Sequence, residues 1–138
     1  IINYLRVLKK ITKNNKFYPG SPFIISNISD VKDKLYLCEL HNNEFKSLKI
    51  NLSKFNNVKI INKSGFDYIK KLTCINNNFF ILIDPSYEIK DDFKEIYNFI
   101  DNIELKFQKA KILIWYPILN YYENDIFIET ITYFLLKN

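Results

Sequence analysis

Four short apolar runs recur along this chain of 138 residues, and helical segments separate them. The runs lie near Leu35–Glu39, Val58–Ile61, Phe79–Ile83 and Lys111–Trp115. They are nearly continuous, with little alternation of polar and apolar residues. Such strands are typical of a parallel sheet whose two faces are both covered by the connecting helices. The sequence therefore predicts a Rossmann-like, doubly wound, mostly parallel α/β fold.

Helical spacing of apolar residues fills the intervals between these runs. It predicts helices near Tyr4–Ile11, Pro22–Ile28, Phe45–Phe55, Phe66–Leu72, Asp91–Phe107 and Phe127–Leu135. The length suits at most one domain. We expect a single partial domain over residues 1–138, with a leading helix at 1–14 and an α/β core at 15–138.

Composition excludes several classes of protein. Apolar residues at 48% and aromatic residues at 17% exclude a disordered chain. The net charge of +5 could indicate a polyanionic partner, but Arg6 is the only arginine. We therefore interpret the charge as a result of compositional bias that favours solubility, and not as a binding patch. No apolar run approaches ~20 residues, so no membrane span is expected.

The residues that bind metals well are few and scattered. Cys38 and Cys74 lie far apart in no ligand-like spacing, and His41 is the only histidine. We therefore expect no metal site and two reduced thiols in a cytosolic protein.

The third apolar run ends on an acid. Asp84 follows Phe80–Ile83, and Pro85 cannot continue the strand because it has no N–H to donate. Tyr87 comes two residues later. A carboxylate and an aromatic ring are thus predicted at the carboxyl edge of the sheet, where open α/β folds bind ligands.

Polar residues and glycines also follow the other strands. Glu39 and His41 follow the first run, where an acid can bind both hydroxyls of a ribose or be an ordinary solvated side chain. Ser64 and Gly65 follow the second, and a glycine there permits close approach of a ligand. Ser21 lies in Tyr-Pro-Gly-Ser-Pro, and this pattern by itself favours an ordinary turn into a helix.

Taken in order, these motifs resemble those of one family. Asp-Pro-Ser-Tyr at 84–87 resembles the Asp-Pro-Pro-Tyr signature of S-adenosylmethionine-dependent adenine-N6 methyltransferases. The series Tyr-Pro-Gly-Ser-Pro, Cys-Glu-Leu-His, Gly-Phe, Asp-Pro-Ser-Tyr-Glu and Trp-Tyr-Pro-Ile resembles the bacterial 23S ribosomal RNA adenine-N6 methyltransferase family known as RlmJ, from about Tyr4 to Ile118.

The resemblance implies a role for each motif. The implied S-adenosylmethionine-binding residues are Ser21, Glu39, His41, Ser64 and Gly65. The implied catalytic residues are Asp84, Pro85 and Tyr87. Glu39 would bind the ribose, and Ser64 and Gly65 would lie beside the cofactor adenine. Asp84 and Pro85 would receive the amino group of the target adenine, while Tyr87 stacks on its ring.

The chain departs from the family pattern at three places. The family's first strand, with its Gly-rich loop, has no counterpart, and the chain contains only two glycines. Ser64 stands where the family has Asp, and Ser86 stands where the Asp-Pro-Pro-Tyr signature has its second proline. The family also continues with further strands beyond the position of Asn138, so the chain resembles the middle of such an enzyme. Because it opens on Ile1 and contains no Met, we expect an excerpt or a broken reading frame.

Three functions remain open. The first is S-adenosylmethionine-dependent N6-methylation of an adenine in 23S ribosomal RNA in the cytoplasm. The second is a non-catalytic remnant, or one half of a split enzyme whose missing motif comes from a complementary chain. The third, from fold analogy alone, is another nucleotide-binding doubly wound domain.

Overall fold

A computed structural model of the chain describes residues 2–12, 18–72, 79–87, 91–103 and 110–117. These ranges contain five helices and four strands, which alternate after the first helix. The helices are α1 (Ile2–Ile11), α2 (Ser21–Ile28), α3 (Asn42–Asn51), α4 (Gly65–Lys71) and α5 (Asp91–Ile103). The strands are β1 (Leu35–Cys38), β2 (Val58–Ile61), β3 (Phe80–Ile83) and β4 (Lys111–Ile114). The predicted α/β class and its parallel strands are confirmed.

The chain divides into two compact units, Ile1–Lys71 and Leu72–Asn138. In the first unit, β1 and β2 pair in parallel, with Leu35 opposite Val58 and Cys38 opposite Ile61. Helix α3 connects these strands and packs against β2, while α4 follows β2 and packs against β1. Both strands therefore end at the same edge of this sheet.

Helix α2 begins where the sequence predicts. Pro22 lies in its first turn, where a missing N–H costs no hydrogen bond. The amides of Phe23 and Ile24 both donate to the Gly20 carbonyl at 3.0 and 3.1 Å. The buried Ser26 hydroxyl donates to the Pro22 carbonyl at 2.7 Å, so its burial leaves no unpaired donor.

The second unit contains β3 and β4, which also pair in parallel, with Phe80 opposite Lys111 and Ile83 opposite Ile114. Helix α5 supplies three of the five buried side chains that the structure describes in this unit. Its Ile96, Phe99 and Ile100 are buried, and Ile96 is 0% exposed. Helical spacing brings these three to one face.

One expectation about the sheet is wrong. The continuous apolar run of β3 predicts burial on both faces, yet burial alternates along the strand: Ile81 and Ile83 are buried, while Phe80 is 65% and Leu82 is 48% exposed. A run without polar residues carries no signal that marks an open face. The open face of β3 is therefore apolar.

The free edge of β3 follows from its register. The amides of Lys111 and Trp115 donate to the carbonyls of Phe79 and Ile83 at 2.8 and 2.9 Å. Odd-numbered residues of β3 thus face β4, and the main-chain groups of Phe80 and Leu82 point to the opposite edge. The described strands form two two-stranded sheets, so that edge of β3 pairs with no described strand.

The bounds of one helix differ from those that the sequence predicts. Helix α3 spans Asn42–Asn51 instead of Phe45–Phe55, because Leu52 leaves the helical conformation and is buried. The helix predicted at Phe127–Leu135, the end of the helix predicted to reach Phe107, and Cys74 lie outside the described residues.

Candidate functional site

Glu39 and His41 are joined directly at the carboxyl end of β1. The Glu39 amide donates to the Ile61 carbonyl at 2.9 Å, which extends the pairing with β2 by one residue. Its side chain then turns back, and Oε1 accepts the His41 amide hydrogen at 2.7 Å. The Oε1 atom is thus held by the loop, whereas Oε2 has no hydrogen-bond partner among the described residues. A carboxylate fixed in this way suits two adjacent hydroxyl donors, as on a ribose.

Asn62 secures the same loop and was not foreseen from the sequence. Its side-chain amide donates to the carbonyls of Glu39 at 3.0 Å and Leu40 at 3.3 Å. Asn62 directly follows β2, so the one available signal was a polar residue at a strand end. The contact positions the main chain directly after the residue that carries the carboxylate.

Ser64 and Gly65 lie at the start of α4, after β2. The Ser64 carbonyl accepts the Tyr68 amide at 3.0 Å, which places Ser64 at the N-cap position of the helix. A Cβ added to Gly65 would lie 3.6 Å from the Cys38 Cβ, an ordinary contact distance. Gly65 is therefore near the end of β1, and the fold itself would accept a side chain there. The predicted approach of a ligand to Gly65 stays a prediction.

Ser21 is exposed at the first residue of α2. Within the described residues, no hydrogen bond joins it to the Glu39–His41 loop. The structure thus gathers four of the five candidate cofactor residues at the carboxyl end of β1 and β2, and it leaves Ser21 on a separate element.

Burial affects the thiol of Cys38, the last residue of β1. Desolvation raises the pKa of this half-buried, free thiol. Below that pKa the thiol is neutral and a poor metal ligand or nucleophile. In the described part of the chain, no three metal-ligating side chains come together. Likewise, no described helix is both long and apolar enough to cross a membrane.

The catalytic candidates Asp84, Pro85 and Tyr87 lie at the carboxyl end of β3. Asp84 is exposed, and no side-chain hydrogen bond engages it among the described residues. Its carboxylate can therefore accept a hydrogen bond from a ligand. Pro85 ends the strand as predicted, and the chain then turns so that Tyr87 adopts a φ of 56°. This left-handed conformation is costly for a bulky side chain, so the surrounding contacts hold it in place.

Tyr87 is anchored by two aromatic neighbours. Its ring centroid lies 4.8 Å from that of Phe93 on α5 and 6.0 Å from that of Trp115 after β4. Its hydroxyl donates to the Trp115 carbonyl at 2.5 Å. Burial raises the pKa of the Tyr87 phenol to about 12, assisted by the negative charges of Asp84 and Asp92. Neither neighbour was foreseen, although Trp115 also stands directly after a strand.

An open surface depression of about 500 Å³ lies elsewhere in the first unit. It is lined by residues around the amino ends of β1 and β2, among them Leu35 and Val58. Ligands of open α/β sheets bind at the carboxyl ends of the strands. The depression is therefore not part of the candidate site.

Comparison with known proteins gives one family. A family model described as "RsmJ: Ribosomal RNA large subunit methyltransferase D, RlmJ" matches residues 1–136. "Ribosomal RNA large subunit methyltransferase J" of Haemophilus influenzae is 32% identical over 123 residues, which is 86% of this chain and 44% of that protein. The protein of the same name from Escherichia coli K12 is 30% identical over 119 residues, 84% of this chain and 42% of that protein.

A solved structure agrees with these matches. The crystal structure of a Legionella pneumophila protein of family DUF519 superimposes with a TM-score of 0.84 and 34% identity, over 96% of this chain and 51% of that one. The chain thus spans about half the length of the relatives that it matches, or less.

Proposed function

Because the chain belongs to the RsmJ/RlmJ family of ribosomal RNA large subunit methyltransferases, we propose that it serves S-adenosylmethionine-dependent N6-methylation of an adenine in 23S ribosomal RNA. The single observation that carries this proposal is the exposed Asp84 carboxylate at the carboxyl end of β3, immediately before Pro85.

The chemistry of an adenine amino group explains the need for such a carboxylate. The N6 lone pair is delocalised into the purine, so the nitrogen is a poor nucleophile. A hydrogen bond from N6–H to Asp84, and a second to a carbonyl near Pro85, would localise that lone pair. The same bonds would stabilise the positive charge that grows on nitrogen during transfer.

The first unit supplies the residues proposed to hold the cofactor. S-adenosylmethionine, when bound, supplies a methyl group activated by its sulfonium. Glu39 would accept the ribose hydroxyls through Oε2, since Oε1 already accepts the His41 amide. Ser64 and Gly65 would lie against the cofactor adenine, and Ser21 would contact the cofactor from α2. Oxygen acceptors and a small residue suit a ribose and a purine face, so these residues fit the group.

The substrate proposed here is an unpaired or extruded adenine of 23S ribosomal RNA, held by stacking beside Asp84. No metal takes part in this scheme. A ribosomal RNA substrate implies that the protein acts in the cytoplasm.

A second candidate is a chain that does not bind the cofactor by itself. Two observations favour it: the sequence has only two glycines, so it has no Gly-rich loop, and Ser64 offers a hydroxyl where the family's acid would bind the cofactor adenine. In that case a complementary chain would supply the missing motif, or the chain would be a non-catalytic remnant.

Single-turnover methylation of unmodified 23S ribosomal RNA with labelled S-adenosylmethionine tests the proposal. In the active form, Asp84→Ala should lower the rate by on the order of 10²–10³-fold, with affinity for S-adenosylhomocysteine unchanged. Asp101→Ala, which removes an exposed acid of α5, is the matched control and should retain the rate. If the lower rate of Asp84→Ala is accompanied by a matching fall in its melting temperature, the role of Asp84 is structural, at the end of the strand. No methylation, even with a chain that carries the Gly-rich loop, would favour a remnant.

A further inference from the structure

Trp115 is the only tryptophan of the chain, and it is 54% exposed. Its amide donates to the Ile83 carbonyl at 2.9 Å, so its main chain continues the ladder one residue beyond β4. A rigid aromatic ring is therefore left half open at the carboxyl end of a strand.

Asp84 is the neighbour of Trp115 across the sheet. Ile83 and Ile114 are paired in register, so Asp84 and Trp115 form the next pair. Ile83 is buried. Because side chains alternate between faces, Asp84 and Trp115 both lie on the opposite, open face. Both are exposed, and neighbouring strands lie only ~4.8 Å apart. A hydrogen-bond acceptor and an open aromatic surface thus stand side by side.

Tyr87 is engaged differently. Its ring lies against Phe93 and Trp115, and its hydroxyl donates to the Trp115 carbonyl. These contacts fix Tyr87 within the protein and hold the segment that carries the indole. Trp115 keeps the larger share of open aromatic surface beside Asp84.

We propose that Trp115 is a binding residue for the target adenine, which stacks on the indole while its amino group reaches Asp84, and that Tyr87, to which the family resemblance gives the stacking role, is instead a positioning residue for Trp115. This inference rests on the proposed function and assigns the stacking surface within it. It predicts that a base without the adenine ring system, such as uracil, engages this site more weakly, because its smaller face overlaps the indole less.

When the chain is excited at a wavelength that tyrosine does not absorb, its fluorescence reports on Trp115 alone, since there is no other tryptophan. Titration of the 138-residue chain with single-stranded oligoadenylate should quench this fluorescence saturably, because a stacked purine quenches an indole. Oligouridylate of the same length should quench less at each concentration. Absence of saturable quenching, or equal quenching by both oligonucleotides, would overturn the proposal.

Variants separate stacking from structural support. Leu113 is also 54% exposed on the same face, two residues before Trp115, and is the matched control. By fluorescence anisotropy of labelled oligoadenylate, Trp115→Ala should weaken binding about tenfold or more. Trp115→Phe should restore most of the affinity, and Leu113→Ala should leave it unchanged. Melting temperatures of all three variants show whether each is folded.

The outcomes distinguish this inference from the proposed function. If Trp115→Ala binds oligoadenylate and methylates 23S ribosomal RNA like the unmodified protein while Asp84→Ala does not methylate, Trp115 is not the stacking surface and the function stands. If neither substitution affects binding or methylation, the inference and the proposed function both fail.

Discussion

The hydroxyl of Tyr87 donates a hydrogen bond to the main-chain oxygen of Trp115 across 28 residues of sequence. This bond ties the loop after β3 to the end of β4, beyond the last pair of the ladder. Among the described residues, one hydrogen bond and two ring contacts hold the candidate catalytic loop. Each of these contacts can be removed separately.

Removal of the Tyr87 hydroxyl should have a small cost. Tyr87→Phe loses one partly exposed hydrogen bond, so we expect a loss of about 0.5–1.5 kcal/mol in the free energy of unfolding. Tyr87→Ala also loses the contacts with Phe93 and Trp115, which adds a further ~0.5–1.5 kcal/mol or more. Urea denaturation measures both values. Equal losses in the two variants would show that the ring contributes nothing.

The left-handed backbone of Tyr87 allows a second substitution test. At a φ of 56° an L-residue is strained, whereas glycine is not. Tyr87→Gly should therefore be as stable as Tyr87→Ala or more stable, although glycine is normally the worse choice through its greater freedom in the unfolded chain. The same urea experiment compares the two. A clearly less stable glycine variant would mean that the segment relaxes out of this conformation once the ring is gone.

The raised pKa of Tyr87 makes stability depend on alkaline pH. The phenol titrates near 10.0 when unfolded and at about 12 when folded, chiefly because burial disfavours the phenolate. Below pH 10 the phenol is protonated in both the folded and the unfolded chain, so its contribution to the free energy of unfolding is fully present. Between pH 10 and 12 the unfolded state loses its proton first, so this stability is progressively lost. Tyr87→Phe should show a shallower decline over that window in denaturation measured at several pH values. Parallel curves would contradict the assignment.

Strand positions could be predicted from the sequence to within about one residue, because polar residues bound each apolar run. Features that depend on distant partners could not. The hydrogen bond between Tyr87 and Trp115 joins residues 28 apart, and the bond between Asn62 and Glu39 joins residues 23 apart. No local pattern encodes either contact. The open face of β3 was missed for another reason, since Phe80 and Leu82 are as apolar as their buried neighbours.

At the cofactor candidates, Ser64→Asp should strengthen binding of S-adenosylhomocysteine to the isolated chain. We expect the unmodified chain to bind it weakly or not at all, because it has no Gly-rich loop and no acid at position 64. Ser64 occupies the N-cap position of α4, where Asp is an equally good residue, so the helix should tolerate the change. Calorimetric titration measures both proteins. Sub-micromolar affinity of the unmodified chain would show that the missing elements matter less than expected.

Asn62 should matter for the cofactor beyond its effect on stability, and Asn57 provides a matched control. Asn57 donates to the carbonyls of Asp30 and Asp33 at 3.2 Å, at the opposite end of β1 and β2. Each Asn→Ala change should cost about 1 kcal/mol of stability. In the Ser64→Asp background, only Asn62→Ala should weaken S-adenosylhomocysteine binding, because it releases the loop that holds Glu39. Equal weakening by both variants would assign Asn62 a purely structural role.

The one-sided pairing of β3 has a consequence for the exchange of amide hydrogens with solvent. The amides of Ile81 and Ile83 face β4, whereas those of Phe80 and Leu82 point to the edge that no described strand covers. Protection from deuterium should therefore alternate residue by residue along a strand whose side chains are all apolar. If another strand binds this edge, Phe80 and Leu82 should become protected together, and the alternation should disappear.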